Sequence, residues 1–195
     1  MRAFAILLLC LLLLRLAPAH AEAAAPGGWG LPQLMQSFAQ EKTSHAHFTE
    51  RKYLHMLKQP LQDNGILLFE APDHLMKQTQ QPKPERLLIE GDTLTIDRLS
   101  KEQILNRSDY PQIWTFIEGI RATLAGDGAA LEAVYTVALS GDPANWQMNL
   151  QPRDPQMRSI IDSIRISGGA AHIMRIETFE HDGDRTDMTV VEDAR

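Results

Sequence analysis

Apolar and polar positions alternate along most of this chain, and a helical rhythm replaces the alternation at only a few places. Between Gly65 and Asp92 an apolar run, Ile66-Leu67-Leu68-Phe69, ends at Glu70-Ala71-Pro72. A second run breaks at Pro82 and Pro84, and a third, Arg86-Leu87-Leu88-Ile89, closes on Glu90-Gly91-Asp92. Short runs punctuated by Pro, Gly and Asp predict antiparallel strands. Residues 46–58 predict a long strand from Phe48 through Tyr53 to Leu57, stopped by Pro60, with Asp63-Asn64-Gly65 as the turn into a strand at 66–70. Further strands are expected at 74–79, 86–90, 93–97, 102–105, 134–139, 145–151, 160–167, 172–180 and 186–192, about ten strands in all. His181-Asp182-Gly183-Asp184 is the last hairpin turn.

Leu31, Leu34, Met35 and Phe38 recur at helical spacing, with Pro32 suited to a first turn, and this helix ends near Lys42-Thr43-Ser44. Ile113, Phe116, Ile117, Ile120 and Leu124 follow i, i+3, i+4, i+7 and i+11, which predicts an amphipathic helix over 112–125 capped by Ser108 or Asp109. Gly126-Asp127-Gly128 breaks it, and 129–133 forms a short helical piece. An antiparallel sheet of this size curls, and its concave face needs a cover. The stripe of the 112–125 helix supplies one. The expected fold is mainly β with α: a curved antiparallel sheet forming an unclosed β-barrel under a helical lid. The periodicity alone does not separate an open cavity from a packed core.

The ends and composition bound the setting. Arg2, the apolar run Ala3–Leu16 and Ala19-His20-Ala21 form a secretion signal with an A-x-A cleavage site. The run is too short for a spanning helix and carries Arg15. Acylation at Cys10 is disfavoured by bulky Leu9 and by the apolar run continuing past it. The expected organisation is therefore 1–21 signal peptide, 22–30 linker and 31–195 a single domain, exported to a bacterial periplasm. Cys10 is the only cysteine, so the mature chain has no disulfide, thiolate metal site or cysteine nucleophile. Without Arg2 and Arg15 the chain holds 17 basic against 25 acidic residues, a formal charge of −8. Nucleic acid is a poor partner for it, and anionic membrane surfaces would repel it.

No catalytic signature is present: neither G-x-S-x-G, Walker A nor H-E-x-x-H occurs. Gly126-x-Gly128 reads as a helix terminator. His45 and His47 face one side of a strand, but with His55 they lack the carboxylate or thiolate that would complete a metal site. Asp182, Asp184 and Asp187 lack the downstream glutamate of a calcium loop and read as a charged hairpin. The odd spacing of Glu177 and Glu180 puts them on opposite strand faces, which argues against a paired acid and base. No enzyme activity, cofactor or metal is expected. The methionines at 35, 56, 76, 148, 157, 174 and 188 fit core packing or an adaptable apolar lining. Trp114, beside the lid stripe, would pack either on a ligand or between lid and sheet.

The layout resembles the LolA family of periplasmic outer-membrane lipoprotein carriers, in a divergent form. The matching pieces are Phe48, then Gly65-Ile66-Leu67-Leu68-Phe69, Pro72, Pro82, Leu88-Ile89-x-Gly91 and Leu94-Thr95-Ile96, in order. Trp146-x-Met148-x-Leu150-x-Pro152, Ile160 to Ile166 and Ile173 to Phe179 follow. The resemblance covers nearly the whole mature chain. It implies a half-barrel under a helical lid that carries a lipid, acyl chain or lipid-linked molecule towards the outer membrane as a monomer. An inner-membrane transporter would load it, and an outer-membrane acceptor would unload it. The expected lipid-binding residues are Phe48, Leu67 and Phe69 on the sheet, from strand alternation, and Ile113, Trp114, Phe116, Ile117 and Ile120 on or beside the helical stripe of the lid. Two positions depart from the family. Ala71 stands where the carrier has an arginine that bonds the lid, and Lys77 stands near a family tryptophan. Both imply a cargo other than standard lipoproteins. The alternatives are a filled-in half-barrel that docks a membrane transporter or acyltransferase, and a hydrolase or acyltransferase without a recognisable motif.

Overall fold

The computed structural model describes residues 28–99 and 101–193, so the expected signal peptide and linker residues 22–27 lie outside the described residues. In chain order the elements are α1 (Leu31–Gln40), β1 (Thr43–Tyr53), β2 (Leu61–Glu70), β3 (His74–Gln81), β4 (Glu85–Glu90), β5 (Thr93–Arg98) and β6 (Lys101–Asn106). Then follow α2 (Pro111–Ala125), α3 (Gly128–Val134), β7 (Tyr135–Asp142), β8 (Asn145–Pro152), α4 (Pro155–Arg158), β9 (Ile161–Gly169), β10 (His172–Glu180) and β11 (Arg185–Glu192). The strands form one antiparallel sheet in the order β6-β5-β4-β3-β2-β1-β11-β10-β9-β8-β7. The first and last strands pair at its centre, and β6 and β7 are its two unpaired edges. The curved sheet is therefore an unclosed barrel. The chain passes from one edge to the other through α2 and α3, so the connection itself becomes the cover.

Local chemistry places the helices. Pro32 and Pro111 sit in the first turns of α1 and α2, where a missing N–H costs nothing. The expected cap at Ser108 or Asp109 is not used: Tyr110 is the N-cap without a side-chain bond, and the Ser108 hydroxyl bonds Asp109 instead. Helix α2 starts too late for either side chain to sit at its N-cap. Gly126 ends α2 at φ +69°, and a Cβ there would lie 2.3 Å from the Met35 carbonyl oxygen. Glycine thus serves both the left-handed cap and the close approach of α1. The Asp127 carboxylate caps α3 by accepting from the Ala130 N–H at 2.9 Å. Asp154 likewise caps α4, a helix that periodicity did not predict because it has only four residues.

The main correction concerns β1 and β2. The expected turn at Asp63-Asn64-Gly65 lies inside β2, and the true connection is residues 54–60. Asp63, Asn64 and Gly65 pair with Glu50, Thr49 and Phe48. Gly65 is there for space. A Cβ would sit 1.9 Å from the Gln78 carbonyl oxygen and 3.0 Å from the Phe48 ring, beside a register irregularity against β3. Glycine inside a strand marks such bulges and close approaches, and its composition mimics a turn.

Pairing register assigns the concave face. Phe69, Leu75, Ile89, Leu94 and Leu105 stand opposite one another across β2 to β6. Met188, Ile176, Ile166, Met148 and Leu139 do the same across β11 to β7. This face is filled unevenly. Leu34, Met35 and Phe38 of α1 join Trp146, Met148, Leu150, Ile164 and Ile166 in one core, with Phe38 edge-on to Trp146 at 5.8 Å. At the opposite edge Trp114 and Ile117 of α2 pack on Leu94 and Leu105. The central strands are left partly uncovered between these two packed zones.

Candidate functional site

That uncovered region is a cavity of about 520 Å³, within the range of pockets that hold small molecules. Ala46, Leu67, Phe69, Leu75, Ile89 and Leu94 line it from β1 to β5, and Ile173, Ile176, Met188 and Val190 line it from β10 and β11. Its roof is Ile113, Phe116, Ile117, Ile120 and Leu124 of α2, which helical spacing sets on one face. Ile160, just before β9, and Ile161 at its start join them. Ile113 and Ile160 line the cavity yet are 38 % and 48 % exposed, so they mark where it meets solvent.

Six of the residues singled out from the sequence meet here: Leu67, Phe69, Ile113, Phe116, Ile117 and Ile120. Phe48 and Trp114 do not line the cavity. Phe48 shares the concave face with Ala46 and Glu50, but the Lys77 ammonium lies over its ring at 4.9 Å. Trp114 lies on the flank of α2, packed on Leu94 and Leu105 with the Arg107 guanidinium 6.0 Å from its ring. Of the two roles open to Trp114, the geometry places it between lid and sheet. Sequence reading missed Leu75, Ile89, Leu94, Ile176, Met188 and Val190 as lining. Their alternation was visible, but only the strand register ties their faces to that of Phe69.

Charged groups also line the cavity. Lys77 donates to both oxygens of the buried Glu50 carboxylate, at 2.9 and 2.8 Å. Lys52 stands 3.2 Å from Glu50 and 2.9 Å from Asp63. Burial pulls the Lys52 ammonium down, but its bond to Asp63 and the charge of Glu50 outweigh that and hold its pKa above the ordinary value. Glu192 lies 2.5 Å from the His172 ring. The Glu180 carboxyl is pushed up by burial and by the neighbouring Asp182 and Asp184.

The lid is tied down at its flank. The Tyr135 hydroxyl donates to the Thr115 carbonyl of α2 at 3.0 Å, and burial pushes the phenol's pKa well above normal, so it stays a donor. Within α2, Arg121 donates to Glu118 at 2.7 Å, and Arg107, in the turn before α2, stands 3.8 Å from the same carboxylate. Ala71 has only a methyl group at the β2–β3 rim, and its N–H donates to the Lys42 carbonyl at 2.8 Å.

The remaining candidate clusters separate. His47 faces Asp193 at 3.3 Å, whereas His55 contacts Asp184 at 2.7 Å near the β10–β11 hairpin. His55, Asp182 and Asp184 bring ligand atoms within 4.8 Å of one another at this exposed turn, where Asp182 accepts from the Asp184 N–H. Asp187 instead accepts from Arg175 at 2.8 and 2.6 Å. Glu177 stands 3.3 Å from both Arg165 and Arg175, while Glu180 lines the cavity. Among the described residues no helix is long and apolar enough to cross a membrane.

A family model described as outer membrane lipoprotein carrier protein LolA-like matches residues 23–195. Among solved structures, the chain is similar to the LolA superfamily protein NE2245 of Nitrosomonas europaea, at 9 % identity over 84 % of this chain and 92 % of that one, with a TM-score of 0.47. It is similar to LprF of Mycobacterium bovis at 14 % identity over 85 % and 93 %, with a TM-score of 0.37. A third likeness is to the MucA/MucB complex of Pseudomonas aeruginosa, at 12 % identity over 84 % and 56 %, with a TM-score of 0.45. No curated protein matches the chain.

Proposed function

We propose that this chain, which belongs to the outer membrane lipoprotein carrier LolA-like family, is a non-enzymatic periplasmic carrier that holds an acyl chain beneath α2. The observation that carries this reading is the apolar cavity walled by the central strands and roofed by Ile113, Phe116, Ile117 and Ile120. Each methylene withdrawn from water is worth about 0.8 kcal/mol, so a chain of about 16 carbons leaves on the order of 12 kcal/mol of unfavourable contact to be shielded. An unclosed sheet under a separate helix can weaken its grip when α2 moves, at a cost of a few kcal/mol. The cargo is a lipid or lipid-linked molecule other than a standard lipoprotein, because Ala71 lacks a lid-bonding group and Lys77 puts an ammonium where the family has an aromatic ring. An inner-membrane transporter loads it, and an outer-membrane acceptor takes the cargo.

The test is direct. Delipidated protein is incubated with bacterial membrane vesicles, repurified and extracted for mass spectrometry. Stoichiometric recovery of an acyl compound is the expected outcome. Protein that returns empty, and that also fails to take up a fluorescent acyl probe saturably, would sink the carrier reading.

A further inference from the structure

The cavity lining carries three carboxylates, Glu50, Glu180 and Glu192, against one ammonium, Lys77. Two of the three carboxylates are already engaged. Glu50 is held by Lys77 and Lys52, and Glu192 lies against His172. Lys77 commits two of its three donor hydrogens to Glu50, so it is not a free receptor for an anion. Glu180 differs from both. Its side chain has no hydrogen-bonding or ionic partner among the described residues, and the charges that act on it are those of Asp182 and Asp184. Thr178 and Thr186 stand opposite each other beside it and line the same end of the cavity.

We infer that the polar end of the cargo is a hydrogen-bond donor of zero or positive charge, an alcohol or ammonium on an acyl amphiphile, seated at Glu180 with Thr178 and Thr186. This rests on the carrier reading and adds the head-group class. A half-buried carboxylate without a partner loses its remaining solvation when a ligand covers it, and a donor on that ligand replaces what is lost. An anionic head would add a further negative charge to a lining that already holds more acids than bases, and like charges brought together in a low-dielectric site cost several-fold to many-fold in affinity. The apolar walls accept any acyl chain, so discrimination by head-group charge falls to this end.

Three single-chain probes of one chain length test it below their micelle concentrations: a fatty acid, its monoglyceride and the matching alkylammonium. Each displaces an uncharged apolar dye from the delipidated protein. The monoglyceride and alkylammonium are expected to displace it at concentrations about ten-fold lower than the fatty acid, the size of one charge-assisted hydrogen bond. Glu180→Gln should narrow that gap, and Glu180→Lys should reverse it in favour of the fatty acid. Circular dichroism shows whether each variant keeps its sheet. A wild-type protein that takes the fatty acid as well as the others overturns the inference, as does a folded Glu180→Lys variant with an unchanged ranking. Equal displacement by all three probes leaves the carrier reading standing and removes only the head-group claim. A dye that no probe displaces removes both.

Discussion

At Gly65 one hydrogen in place of a methyl decides whether β3 can lie against β2. A methyl would meet the Gln78 carbonyl oxygen at 1.9 Å, a contact made by backbone that cannot swing aside. Gly65→Ala is therefore expected to lower stability by about 2–3 kcal/mol in urea titrations. Lys77 makes a second residue-scale case. Removing one partner of a fully buried pair costs about 3–5 kcal/mol, but Lys52 still contacts Glu50 and Lys77 is partly exposed, so Lys77→Met should cost about 2 kcal/mol. The double variant Glu50→Gln/Lys77→Met should recover most of that loss, because Lys52 keeps Asp63 and no buried charge is left without a partner. At the hairpin, bonding to Asp184 raises the His55 pKa, and the His55 backbone and ring lower that of Asp184. The raised histidine contributes below its ordinary value of 6.5, and this is lost as pH rises through its folded value. The depressed carboxylate contributes above its ordinary value of 3.8, and this is lost as pH falls through its folded value. The pair's contribution to stability is thus complete only between those two ordinary values, while the contact itself persists somewhat beyond them at both ends. An NMR titration should find His55 titrating above 6.5, and Asp184→Asn should bring it down. The sequence showed Gly65 and Lys77 as residue types, but their roles come from atoms on β1 and β3 that no local window contains.

For α2, the hydrophobic stripe was legible from spacing alone, because helical periodicity is a property of neighbouring residues. Its attachment was not. The Tyr135 hydroxyl comes from β7, twenty residues beyond its acceptor at Thr115, and Trp114 fills the gap over Leu94 and Leu105 at the far edge. Tyr135→Phe removes that bond while leaving the ring in place. It should cost about 1 kcal/mol in stability and speed release of a bound acyl probe in stopped-flow displacement. An unchanged release rate would mean that this end of α2 does not move when the cavity opens. Strand existence was equally legible, with β3 to β11 close to their expected spans. The error at Asp63-Asn64-Gly65 arose because turn residues and a strand bulge share the same composition.

Across the whole molecule, a filled cavity should behave as added stability. Ligand at 100 times its Kd adds about 2.7 kcal/mol to a protein that binds it only when folded. For a domain of this size that is a rise in Tm of roughly 5–10 °C, measured by calorimetry on delipidated and loaded protein. No rise at a concentration of acyl ligand far above the expected Kd would mean that the folded protein does not bind it.

Local patterning in the sequence determined the elements themselves: alternation set the strands, helical spacing set the lid, and the mismatch between a large curling sheet and one amphipathic stripe set the half-barrel. Tertiary structure alone decided which strand face turns inward and that the space between the two packed zones stays open. The physical reason is that register is non-local. Ala46 faces the cavity because β1 pairs in one alignment with both Leu67 on β2 and Glu192 on β11, and a slip of one residue would exchange every inward side chain for an outward one.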